Sequence, residues 1–110
     1  MSKYRVVYYK NNRGDLPVFK HLNTYNDQVL AKFNRLADLL ASLGPSLSLP
    51  YSRKITHELF ELRIKGKNEI RVIYTKVKDT YILLHAFPKK TKKTPKKEIE
   101  TSESRRLTLK

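Results

Sequence analysis

The sequence has no cysteine, which excludes a disulfide framework and a thiolate metal site. No stretch approaches the roughly 18 consecutive apolar residues of a membrane span. The N-terminal "MSKYRVVYYKNNRGD" lacks the apolar core and small-residue cleavage site of a signal peptide. These absences lead to the expectation of a cytoplasmic protein with no membrane partner. Glycine is scarce, at three residues, and neither a G-x-G-x-x-G nor a Walker-type phosphate loop is present. There is no G-x-S-x-G nucleophile elbow either. The histidines, His21, His57 and His85, include no pair at i, i+4 spacing and no accompanying carboxylate cluster. No metal and no cofactor are therefore expected.

Acidic residues are also few, 10 Asp and Glu against 24 Lys and Arg, for a formal charge of +14. Such an excess repels itself in a compact state. A polyanionic partner explains it best, because each neutralised phosphate releases counterions and gains affinity. Solubility and attraction to anionic lipid are the competing readings. Against the lipid stands the lack of an amphipathic apolar face beside the lysine run.

What is present fits one domain spanning residues 1–110, with 39% apolar residues for a modest core. "YRVVYY" (residues 4–9) reads as a first strand. Pro17 opens a short helix, "PVFKHL". Val29, Leu30, Phe33, Leu36, Ala37, Leu40 and Leu43 recur at helical spacing, which predicts an amphipathic helix over 24–43. Thr24 and Asp27 would form its capping box, and Gly44-Pro45 its stop. "SLSLPYSRK" reads as an irregular connection. Phe60, Leu62 and Ile64 alternate with Glu61, Arg63 and Lys65, and a turn over 65–68 leads to a second alternating strand, "IRVIYTKV". "YILLHAF" is nearly apolar throughout, as a central strand buried on both faces would be. Thr94-Pro95 reads as N-cap and first helical residue of a polar C-terminal helix. The fold class is α+β, a small sheet with helices packed on one side.

Arg63 and Arg71 fall on one face of this hairpin, opposite Leu62 and Val72. Two guanidiniums on an open face form a fork for phosphate oxygens; the plainer reading has Glu61 pairing with one of them. After "YILLHAF" come six lysines within nine residues, Lys89, Lys90, Lys92, Lys93, Lys96 and Lys97. Lysine in the first turn of a helix opposes the macrodipole, and a placement that works against local stability marks function. The plainer reading is a solvated basic stretch. His85 is either a satisfied core imidazole or a group facing the basic site.

The ordered set Glu61-Leu62-Arg63, Arg71-Val72-Ile73-Tyr74, Leu84-His85-x-Phe87-x-Lys89-Lys90 and Thr94-Pro95 with Lys96 and Glu98 resembles the RelE/ParE toxin superfamily, in its HigB-like, phage-derived branch. The similarity extends over nearly the whole chain. It implies a RelE-like fold: a small twisted, mostly antiparallel sheet with two N-terminal helices on one face and a short C-terminal helix. The implied activity is that of a type II toxin, an endoribonuclease that cleaves mRNA on the ribosome. The implied partners are mRNA, ribosomal RNA and a cognate antitoxin, a helix-turn-helix protein encoded next to it. Arg71 matches the arginine that contacts the scissile phosphate, with Arg63 beside it, and Lys89 or Lys90 matches a second basic catalytic residue. Lys54, Lys65, Lys92, Lys93, Lys96 and Lys97 are the expected nucleic-acid contacts. The chain departs from its relatives in having no tyrosine after Tyr81. Proton transfer then falls to His85 or to a lysine among Lys89, Lys90 and Lys96, since crowding by like charges disfavours a protonated amine. The alternatives are a gyrase-inhibiting toxin of the same superfamily and a non-catalytic RNA-binding module.

Overall fold

The computed structural model describes residues 3–109. Five strands, β1 (Arg5–Tyr8), β2 (Ser52–Lys54), β3 (Phe60–Ile64), β4 (Ile70–Val77) and β5 (Thr80–Pro88), form one sheet in the order β1-β5-β4-β3-β2. Only β1 runs parallel to its neighbour; the other pairings are antiparallel. The apolar "YILLHAF" is thus a central strand, flanked by β1 and β4. The helices are α1 (Pro17–Leu22), α2 (Asp27–Leu43) and α3 (Lys96–Arg106), with a 3₁₀ turn at Gly44–Ser46.

The alternation in β3 and β4 divides the core. Leu62, Ile64, Ile70, Val72 and Tyr74 face one way and bury against Val18 and Leu22 of α1 and Phe33, Leu36 and Leu40 of α2. Ile73, Leu84 and Phe87 form a second cluster on the other face, where Ile99 of α3 packs. The helices therefore do not all lie on one side: α3 covers apolar residues that would otherwise face water.

Three local expectations are corrected. Helix α2 begins at Asp27 because Asn26 caps it, its side chain accepting from Val29 N at 3.0 Å. Thr24 instead donates to His21 O at 2.7 Å, at the end of α1. Helix α3 begins at Lys96 with Pro95 as its cap residue, and Thr94 is turned inward. The connection after α2 contains β2, a short edge strand paired with β3. Its residues Ser52, Arg53 and Lys54 carry no apolar signal, and pairing alone makes them a strand.

Strand β2 is anchored by a buried hydrogen bond, Ser52 Oγ to Tyr74 Oη at 2.6 Å, and burial pushes the Tyr74 phenol up to about 12. Replacing Tyr74 with phenylalanine leaves the Ser52 hydroxyl buried without its partner. The expected loss is about 1–2 kcal/mol in urea unfolding.

A register shift between Ile73 and Tyr74 marks a bulge in β5: Tyr74 pairs with Leu83 and Ile73 with His85, so Leu84 is extra. Tyr81 and Leu83 face α1 and α2, and strict alternation would send His85 after them. The bulge gives that place to Ala86 and turns His85, partner of Ile73, to the α3 face.

Candidate nucleic-acid interface

Strands β3 and β4 bring Arg63 and Arg71 into direct register, on the face opposite Leu62 and Val72. That face is not open at Arg71, whose side chain is 2% exposed. Its Nη1 donates to Glu61 Oε1 at 2.8 Å and its Nε to Glu69 Oε2 at 2.8 Å. Glu61 is itself fully buried, and its Oε2 accepts from Thr94 Oγ1 at 2.6 Å. The expected pair of exposed guanidiniums is therefore corrected. A buried arginine needs counter-charge, and the pairing of Glu61 with one arginine supplies it. Burial pushes the Glu69 carboxyl up, but the hydrogen bond and charge of Arg71 and the charges of Lys89 and Lys65 outweigh this and hold it below the usual carboxylate value.

This buried network carries a surface feature. Glu61 ties β3 to the segment before α3 through Thr94, and Arg53 Nη2 lies 3.6 Å from Glu61 Oε1 and 3.5 Å from Thr94 Oγ1. Between β2 and the start of α3 opens a cleft of about 510 Å³, lined by Arg53, Lys54, Lys93 and Lys96 around Ile55, Thr94 and Ile99. Among the described residues no carboxylate lines it. The first turn of α3 has no side-chain cap, which adds unmatched backbone N–H groups and the positive end of the helix dipole beside Lys96.

The expected residues are thereby sorted. Lys54, Lys93 and Lys96 come together in the cleft. Lys90, Lys92 and Lys97 are exposed outside its lining. Lys89 is half-buried, its Nζ 3.8 Å from Glu69 Oε2 and its backbone N donating to Glu69 O at 2.9 Å. Arg63 and Lys65 line a separate cleft with residues of α2. Sequence reasoning missed Arg53, which depends on the pairing of β2 with β3, and took Thr94 for a helix cap where it instead bonds to Glu61. Among the described residues no group of three His, Asp or Glu side chains is placed to hold a metal ion.

His85 lies under α3, stacked on Phe87 at 5.4 Å. Its Nε2 is 2.7 Å from Glu98 Oε1, and its Nδ1 is 3.4 Å from Arg105 Nη1, which donates to Leu84 O at the bulge. With Nε2–H donating to Glu98, Nδ1 is left to accept, so both ring nitrogens are engaged. Burial lowers the His85 pKa from 6.5; Glu98 opposes this in part, and Arg105 and Lys97 add to it. Burial likewise lowers that of His21, with the His85 charge adding and Glu98 opposing.

In the unfolded chain these imidazoles take up protons at higher pH than in the native state. Their contribution to stability is thus present above pH 6.5 and is lost as pH falls from there toward their lower folded values. The expected result is a melting temperature that drops between pH 7 and pH 5. In His21→Gln/His85→Gln the slope over that range should be visibly flatter; an unchanged slope would contradict the assignment.

Residues 20–107 match the family described as phage-derived protein Gp49-like. The chain belongs to that family. It is a toxin–antitoxin toxin family related to RelE- and HigB-type toxins. Membership implies a cognate antitoxin as a partner. No curated protein matches the chain. Among the described residues no helix is long and apolar enough to cross a membrane.

Proposed function

We propose that this Gp49-like toxin is a metal-independent endoribonuclease that cuts mRNA on the ribosome, in the cleft between β2 and α3. The observation that carries this reading is the convergence of Arg53, Lys54, Lys93 and Lys96 beside the uncapped first turn of α3, in a cleft whose lining among the described residues holds no carboxylate.

RNA brings its own nucleophile, the 2′-hydroxyl. The protein has to align it with phosphorus, stabilise the added negative charge and manage two protons. Arg53, set beside Glu61 and Thr94, is assigned to the non-bridging oxygens, where charge builds in the transition state. Lys54 and Lys93 hold the flanking phosphates. Of the proton-transfer candidates, Lys96 is the one that lines the cleft. It delivers a proton to the departing 5′-oxygen, and the 2′-hydroxyl proton passes to solvent. The products are a 2′,3′-cyclic phosphate and a 5′-hydroxyl. Arg71 acts as a positioning residue, since it fixes Glu61 and through it Thr94 and Arg53. The exposed Lys90, Lys92 and Lys97 grip ribosomal RNA by counterion release. The antitoxin, a helix-turn-helix protein encoded next to the toxin, shields the lysine face with an acidic segment.

The test is growth and mRNA integrity after induction of wild type and Lys54→Ala/Lys93→Ala/Lys96→Ala in the same cells. Arrest with cut mRNA for wild type, and neither for the variant, is expected. Arrest with intact mRNA would point to gyrase instead, and no arrest would leave an RNA-binding module.

A further inference from the structure

The second cleft, where β2 begins and the end of β3 meets α2, differs from the first in kind. It is small, about 240 Å³, and is lined by Lys32, Arg35, Leu36, Tyr51, Arg63, Ile64 and Lys65. Among the described residues no carboxylate lies within 4.0 Å of any of its four cations. Arg71, the register partner of Arg63, has two carboxylates. The Arg63 charge is therefore left to meet an anion from outside.

The walls of this cleft are fixed. Lys32 Nζ donates to Lys65 O at 2.9 Å and joins α2 to the β3–β4 turn. Arg63 N donates to Tyr51 O at 2.9 Å, and Tyr51 N to Ser48 O at 3.0 Å, so Tyr51 is presented from a pinned backbone. Tyr51 is 46% exposed, beside the apolar Leu36 and Ile64. An aromatic platform with an apolar floor and a cationic rim has the composition of a single-strand subsite, where a base stacks and its phosphate meets guanidinium. The volume suits one such unit and falls below that of pockets for drug-sized ligands.

We infer that this cleft is a second RNA-docking subsite, which stacks one nucleobase on Tyr51 and holds the adjoining phosphate between Arg35, Arg63 and Lys65. It rests on the proposal that RNA is the substrate, and it assigns Arg63 to holding the strand away from the cut. An acidic peptide would satisfy the cations but would gain nothing from the ring, so RNA is the favoured occupant.

The experiment measures binding of a fluorescent single-stranded 2′-O-methyl oligoribonucleotide, which lacks the nucleophile, by anisotropy over a salt series. Tyr51→Ala is expected to weaken binding about 10-fold, the scale of losing one base–aromatic stack, while Tyr51→Phe restores it. Arg35→Ala/Arg63→Ala is expected to reduce the log–log salt slope by about 0.7, the share of the one phosphate held there. Wild-type binding by these variants, with weakened binding by the Lys54/Lys93/Lys96 variant, would overturn the subsite and leave the nuclease standing. Loss of binding in Tyr51→Ala by a chain that cuts no RNA would keep the subsite and remove the nuclease. Competition by polyglutamate with no effect of Tyr51→Ala would make the cleft a protein-binding face and overturn the inference.

Discussion

Arg71→Ala is expected to lower stability by about 3–5 kcal/mol, the usual cost of stranding one member of a buried ion pair. On a domain of this size that amounts to a melting temperature lower by ~12–20 °C. The cost arises because Glu61 is fully buried and would keep its charge with only the Thr94 hydroxyl at short range and Arg53 at 3.6 Å. The reverse substitution, Glu61→Ala, leaves Arg71 with Glu69 alone and should cost less. Removing both charges with Glu61→Leu/Arg71→Met is expected to recover part of the loss, since an apolar pair of similar volume avoids the desolvation of either ion. Chemical denaturation of wild type, Glu61→Leu, Arg71→Met and the double variant measures the coupling. If the single and double losses simply add, the pair is not the unit described here. Loss of toxicity in Arg71→Ala would by itself say little about phosphate contact.

The second large effect concerns the cleft. Lys54→Ala/Lys93→Ala/Lys96→Ala is expected to reduce the slope of log affinity against log salt for single-stranded RNA by about 2, from three lost contacts at roughly 0.7 each. All three side chains are exposed, and none makes an ion pair among the described residues, so the fold should tolerate the change. Lys3→Ala/Lys10→Ala/Lys20→Ala, three exposed lysines outside the cleft, controls for net charge alone. An equal fall in slope for the two variants would mean that RNA responds to total charge and not to a site.

Much of this fold was legible because its periodicities are strong. The alternation in residues 60–77 picked out the residues of β3 and β4 that face α1 and α2, though the opposite face proves buried as well, and the continuous apolar run of β5 marked it as central. Strand β2 was not legible: Ser52, Arg53 and Lys54 have no apolar residue, and only pairing with β3 orders them. The site inherits that gap, because Arg53 belongs to β2. Arg71 misled for another reason. An arginine on the polar face of a strand reads as solvent-exposed unless its counter-charges are known, and Glu69 supplies one from the preceding turn. The orientation of His85 turns on the bulge at Leu84, which depends on tertiary pairing with β4.

The most direct test of the central claim is the chemistry of the cut ends. Purified protein, first stripped of metal with chelator, is incubated with ribosomes programmed with a labelled mRNA and with ribosomes programmed with the same mRNA carrying a single 2′-deoxynucleotide 5′ of the scissile phosphate. Cleavage of the first to a 2′,3′-cyclic phosphate and a 5′-hydroxyl, with no cut at that position in the second, is the expected result. Efficient cleavage of the deoxy-substituted bond, or activity that returns only when a transition metal is restored to the stripped protein, would contradict it.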